Sequence, residues 1–173
     1  MTFGAFLSAA FENHALIVAI SAFLIAQFCK FIITGITQHS FSPERLKGDG
    51  GMPSAHSATV MALATVVGYL EGLDSVAFGV SMILASVVMH DALGIRREAG
   101  KHASSINELV DTVNGLLPEK KKLTQTEKLK ELLGHSLIQV VCGGVLGFLL
   151  GLAYILIRLV WIEGYTGFPG HLL

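Results

Sequence analysis

Residues 137–162 read LIQVVCGGVLGFLLGLAYILIRLVWI, twenty-six positions carrying one charge, Arg158. A helix on the surface of a soluble protein needs a polar face, and this stretch has none. It is long enough to cross a bilayer, which takes about 20 mostly apolar residues. Working outward, three more stretches have the same character: 14–36, 53–69 and 76–93. The second and third are short, and the "EGLD" between them (71–74) is a tight polar turn, so they read as a helical hairpin. The sequence therefore predicts an all-α integral membrane bundle of about four transmembrane helices.

Composition agrees. Hydrophobic residues make up 52% of the 173 positions and charged residues 14%, against about 25% charged in an ordinary soluble domain. Mean hydropathy is +0.63. A soluble helical bundle of this size has too little interior to bury four such stretches. The length suits one domain, 1–173. Cys29 and Cys142 both sit in apolar runs and read as packed thiols, not as a disulfide framework or a metal site. No basic segment precedes the first apolar run, as a signal peptide would require.

The charges set a topology. Lys30, Arg45 and Lys47 lie at or after the end of the first span; Arg96, Arg97, Lys101, Lys120, Lys121, Lys122, Lys128 and Lys130 lie between the third and fourth. That places eleven of the twelve basic residues on one side of a four-span bundle. The positive-inside rule puts that side in the cytoplasm, with both termini outside, across an inner or cytoplasmic membrane. Between the third and fourth spans, Ile106, Leu109, Val110, Val113, Leu116 and Leu117 recur at helical spacing in "ASSINELVDTVNGLL" (103–117). "PEKKKLTQTEKLKELLG" (118–134) follows, with Thr124 or Thr126 as N-cap. Both read as short amphipathic helices along the cytoplasmic surface. In the last span Gly143, Gly147 and Gly151 repeat every four residues. Such a stripe lets another helix approach closely, and packing within the chain and homodimerisation are both open.

Chemistry concentrates at the cytoplasmic ends of the spans. "GGMPSAHSATV" (50–60) starts a helix at Pro53 and Ser54, but that role leaves His56 unexplained. At the same depth lie Lys30, His90, Asp91, Arg96, Arg97, Lys130, Glu131 and His135. Ionisable groups near a membrane are costly unless they snorkel, pair or work. Two histidines near helix starts, with two arginines and two lysines, make a coherent anion site. Arginine forks hold phosphate oxygens in pairs and lysine adds point charge. A helix start adds backbone N–H groups and a positive dipole end. One histidine can attack phosphorus while the other protonates the leaving oxygen.

The chain resembles the divergent branch of the type 2 phosphatidic acid phosphatase family, related to acid phosphatases and vanadium haloperoxidases. The resemblance rests on "GGMPSAHSATV", "HDALGIRREAGKHASSINEL" and "LKELLGHSLIQVVCGG". "PSAH" matches the family's Pro-Ser-Gly-His with Ala55 in place of glycine, which implies His56 as general acid. "GHSLIQ" matches the end of the third motif, which implies His135 as nucleophile. Lys30 stands for the first motif's lysine, without the Arg-Pro that follows it in the family. The third motif's arginine falls on Leu129, beside Lys130, and its aspartate falls on Gln139. The guanidinium role passes to Arg96 and Arg97.

The mechanism so implied needs neither metal nor cofactor. Lys30, Arg96, Arg97, Lys130 and the backbone from Ser54 to Ser57 neutralise a lipid phosphate or diphosphate. His135 attacks, and His56 protonates the leaving group. Gln139, four residues after His135, accepts the imidazole N–H, with Asp91 and Glu131 supporting the cations. Membrane lipids are the expected partners, and nucleic acid is not. Two other readings compete: a phospholipid-binding or transport protein that keeps the anion pocket without turnover, and a metalloenzyme using His56, His90, Asp91 and His135. The second lacks any H-E-x-x-H spacing.

Overall fold

A computed structural model describes residues 2–38, 51–118, 128–129 and 134–162. Among the described residues the chain is helical throughout, with no strand. The order is α1 (Phe3–Glu12), α2 (His14–Gln38), α3 (Ala55–Glu71), α4 (Val76–Leu93), α5 (Ile95–Leu116) and α6 (Leu137–Ile157), then a π-helical turn Arg158–Ile162. Arg45, Lys47, the lysines at 120–122, Lys130, Glu131 and most of the second amphipathic segment lie outside the described residues.

Local chemistry sets the helix starts. Asn13 begins α2, its Oδ1 accepting from Leu16 N–H at 3.0 Å. Ser54 caps α3 by accepting from Ser57 N–H, and Ser75 caps α4 by accepting from Phe78 N–H. Ser136 and Gln139 close a capping box at the start of α6. At the other end of the α3–α4 hairpin, Gly72 takes φ +91°, which a side chain disfavours.

α3 is the axis of the bundle, packed by α2, α4 and α6. Ala58, Ala62, Ala64 and Val66 on it are fully buried. Ala15, Val18 and Ala22 of α2 meet Ala62 and Val66, and Ala26 meets Ala55 and Ala58, so α2 and α3 run antiparallel. α6 runs parallel to α3 instead. Added Cβ atoms at Gly143, Gly147 and Gly151 would collide with Ser54, Ala58 and Thr65 in turn. Of the two uses left open for the glycine stripe, packing within the chain is the one observed. All three glycines are buried there.

The pattern of sizes is inverted relative to a soluble protein. Small residues fill the interior, and large apolar ones face outward: Leu24 60% exposed, Phe28 63%, Ile83 67%, Ile138 67%. A belt of that size is tolerable only in lipid. Small interior residues suit a bundle held by close van der Waals packing, since lipid supplies no hydrophobic drive between helices. The chain is an all-α membrane bundle.

Two expectations change. Among the described residues three helices are long and apolar enough to cross a membrane: His14–Thr37, Val76–Leu116 and Leu137–Trp161. α3, the remaining one of the four, has 17 residues, or about 25 Å of helix against about 30 Å of hydrocarbon. Its cap at Ser54 and its stop at Gly72 make it short, and its neighbours shield its sides. The first amphipathic helix also starts earlier than expected. α5 begins at Ile95, because Gly94 N–H donates to His90 O and Glu98 N–H to Gly94 O, carrying the hydrogen bonding through the elbow after α4.

Candidate functional site

The packing directions bring four chain segments to one end of the bundle. The later part of α2 lies there with the start of α3, because the two helices are antiparallel. α6 starts there because it parallels α3, and α4 ends there because it returns through the hairpin. Direct contacts close the group. Ser54 N–H donates to Gln139 O at 3.0 Å, joining the turn before α3 to the first turn of α6. His135 N–H donates to Ala92 O at 3.0 Å, joining the approach to α6 to the end of α4.

Three of the expected residues meet at this end. Lys30 is buried in α2, with Nζ 3.4 Å from Gln27 Oε1. Its stem lies against Gly51, where φ is +111° and an added Cβ would come within 2.9 Å of Lys30 Cε. The glycine is what lets the turn lie on the lysine. His56 is in the first turn of α3 and is partly exposed; His135, just before the cap of α6, is buried. Their rings stand edge-on, with centroids 6.3 Å apart and planes at 83°. Two helix N-termini, with their positive dipole ends, thus converge beside a buried lysine. This arrangement favours an anion.

Arg96 and Arg97 reach this end through their backbone. Gly134, at φ +85°, packs so tightly on them that an added Cβ would overlap the Arg97 backbone. Arg96 Nε donates to Asp91 Oδ2 at 2.7 Å, so Asp91 orients this arginine. The pair is about 40% exposed and contributes about 0–1 kcal/mol to stability, so its value lies in placement. Arg97 is exposed. Beside the pair, a groove of about 550 Å³ on the outer face of α4 is lined by Ser86, Val87, His90, Asp91 and Ile95.

Other expected roles change. Ser54 and Ser57 are fully buried, and their hydroxyls serve each other: Ser57 Oγ donates to Ser54 Oγ at 3.1 Å while Ser54 caps the helix. Their hydroxyls build the turn, which leaves the backbone of the turn for the expected phosphate. Gln139 also has another task. Its Oε1 accepts from Ser136 N–H at 3.0 Å, closing the capping box. His135 lies outside α6, so the helical four-residue spacing that would align it with Gln139 does not exist. Lys130 and Glu131 lie outside the described residues. Among the described residues, no three of His, Cys, Asp and Glu come together as metal ligands would.

Sequence reading missed Asn107. It is 3% exposed, and its side chain bonds both backbone groups of Leu129. The signal was present: Gly100, Ala103 and Asn107 form a small-residue stripe on α5, with one polar member.

Compared with known proteins, the chain matches the family described as the Divergent PAP2 family over residues 11–150. A Bacillus subtilis protein, described as the uncharacterized membrane protein YuiD, is 42% identical over 146 residues. The match covers 81% of this chain and 92% of that protein. No solved structure matches.

Proposed function

The chain belongs to the divergent PAP2 family, and from that premise we propose that it is a membrane lipid-phosphate phosphatase working through a phosphohistidine on His135, without metal. The observation that carries the reading is the apposition of His56 and His135 at 6.3 Å, at the same end of the bundle as buried Lys30, which lies against Gly51. A nucleophile attacks from about 3–3.5 Å, and an acid reaches its oxygen over about 2.6–3.2 Å. One phosphoryl group held between two rings so spaced can meet both.

The substrate is a phosphate monoester or diphosphate on a lipid, its headgroup at the end of the bundle and its chains in the bilayer. The groove on α4 supports an approach from that side. Lys30, Arg96, Arg97 and Lys130 offset the phosphate charge, with the N-termini of α3 and α6. A neutral His135 nitrogen forms the N–P bond as the P–O bond to the leaving group breaks. His56, protonated, gives its proton to that oxygen. Water then attacks phosphorus, the N–P bond breaks, and His56 takes the water's proton. Phosphoryl transfer asks chiefly for positioning and charge, which this end of the bundle concentrates. The site faces the cytoplasm in this proposal, because the basic residues cluster on its side.

One observation favours a second reading. Position 139 holds a glutamine, which has no carboxylate, and its side-chain oxygen is taken up by the cap; the imidazole so lacks an acid there, which suits a phospholipid-binding protein without turnover. Purified protein in liposomes carrying phosphatidate, phosphatidylglycerol phosphate or a polyprenyl phosphate separates the two. Phosphate release unaffected by EDTA and lost in His135→Ala supports the phosphatase. Saturable lipid binding without release supports the binder.

A further inference from the structure

α5 contributes no other buried polar side chain: of its buried residues, Gly100 and Ala103 have none to offer. Among the described helices it packs against α4, and its stripe of Ile106, Leu109 and Leu116 stays exposed. Yet Asn107, twelve residues past the elbow, reaches chain far away in sequence. Its Nδ2 donates to Leu129 O at 3.0 Å, and its Oδ1 accepts from Leu129 N–H at 3.1 Å. A carboxamide has a donor and an acceptor side by side, so it can satisfy both groups of one residue as a neighbouring strand would. The exposed pair of Lys128 Nζ and Asp111 Oδ2, at 2.8 Å, lies along the same contact.

Gly134 and His135, five and six residues further on, are held as well. Gly134 is pressed on the backbone of Arg96 and Arg97, and His135 N–H donates to Ala92 O. Leu129 and the Gly134–His135 pair are therefore each held on one helical arm, the first by Asn107 and the second by the α4–α5 elbow. Neither hold belongs to α6, which begins only at Leu137. We propose that Asn107 is a positioning residue for His135: its clamp anchors Leu129 to α5 six residues before the histidine, and that anchor limits where the imidazole can stand opposite His56. The catalytic consequence rests on the phosphatase reading above; the positional one does not.

The test uses full-length protein in detergent. Asn107→Ala removes both hydrogen bonds of the clamp, and Leu129→Pro removes the one that the Leu129 N–H donates. With diethyl pyrocarbonate as probe, His135 should react about tenfold faster in either variant, through local opening, while His56 stays within about twofold. The double variant should react no faster than the faster single one, because both remove one interaction. Lys128→Ala removes the exposed pair with Asp111 and leaves the Asn107 clamp in place, so it should leave the rate unchanged.

With phosphatidate, Asn107→Ala should lower kcat about tenfold with KM within about twofold, since the cations stay and the nucleophile is misplaced. In the wild type, the amides of Leu129 and His135 should exchange as one unit, with rates within about threefold. That measurement decides the matter should either variant lose its helical circular dichroism. Unchanged His135 labelling in both folded variants, or a Leu129 amide that exchanges independently of His135, overturns the proposal. A wild type that releases no phosphate sinks the phosphatase reading alone, because labelling and exchange still report on the clamp.

Discussion

Gly143 and Gly144 are neighbours on α6, and the structure gives them opposite responses to alanine. A Cβ at Gly144 meets Met61 Cγ at 3.6 Å and Met89 Sδ at 3.9 Å, ordinary contact with two flexible side chains. Alanine there gains its helix preference over glycine, about 0.8–1.0 kcal/mol. A Cβ at Gly143 would collide with the Ser54 carbonyl and come within 3.0 Å of Ser54 N. Backbone cannot swing aside, and this stretch of backbone also donates to Gln139 O. Overpacking of that kind costs about 1–3 kcal/mol, and a strained hydrogen bond about 1 kcal/mol more. Set against the same helix gain, Gly143→Ala should destabilise the bundle by about 1–3 kcal/mol. At about 2–4 °C per kcal/mol for a chain of this size, Tm falls about 2–12 °C in Gly143→Ala and rises about 2–4 °C in Gly144→Ala. Thermal unfolding in micelles, followed by far-UV circular dichroism at several protein concentrations, measures both. A Gly143→Ala protein as stable as Gly144→Ala would refute the packing of α3 on α6. A loss that depends on protein concentration would place the stripe between two copies instead.

Three further outcomes are expected. His56→Ala and His135→Ala should each remove most phosphatase activity, with little added loss on combining them; with a good leaving group, a phosphoenzyme should accumulate in the first, and one detected in the second would contradict the assignment of the nucleophile. Gln139→Glu keeps the capping box and adds negative charge at a helix start, so stability should hold or rise by about 0.3–1 kcal/mol. The pH–rate profile should not shift, and a displaced limb would return Gln139 to the imidazole. In a background free of Cys29 and Cys142, Glu71→Cys should react with an impermeant thiol reagent on intact cells, while Ser42→Cys and Lys121→Cys should be shielded; labelling of the latter two would invert the topology.

Much of the site's content was legible in the chain. Lys30, His56 and His135 stand out because charged and titratable groups are conspicuous in apolar sequence, and the structure brings the three to one end of the bundle. Misreadings arose where one residue type serves two purposes. Serine near a helix start reads equally as cap or ligand; Ser54 is buried as the cap, and Ser57, buried beside it, donates to it. Glutamine three residues after serine is a capping box as readily as a partner for histidine. The choice turned on where α6 begins, a boundary two residues past His135.

By itself the sequence determined the class of fold and the apolar segments, because those follow from local composition and from backbone groups that must be satisfied in lipid. It also carried the small-residue stripes that permit close packing. Only the tertiary structure decided their partners: that Gly143, Gly147 and Gly151 receive α3, that α3 sits on the axis and so can be short, and that Asn107 holds Leu129. Periodicity tells which face of a helix is small or polar. It does not tell which of several compatible faces, remote in the chain, comes to lie against it.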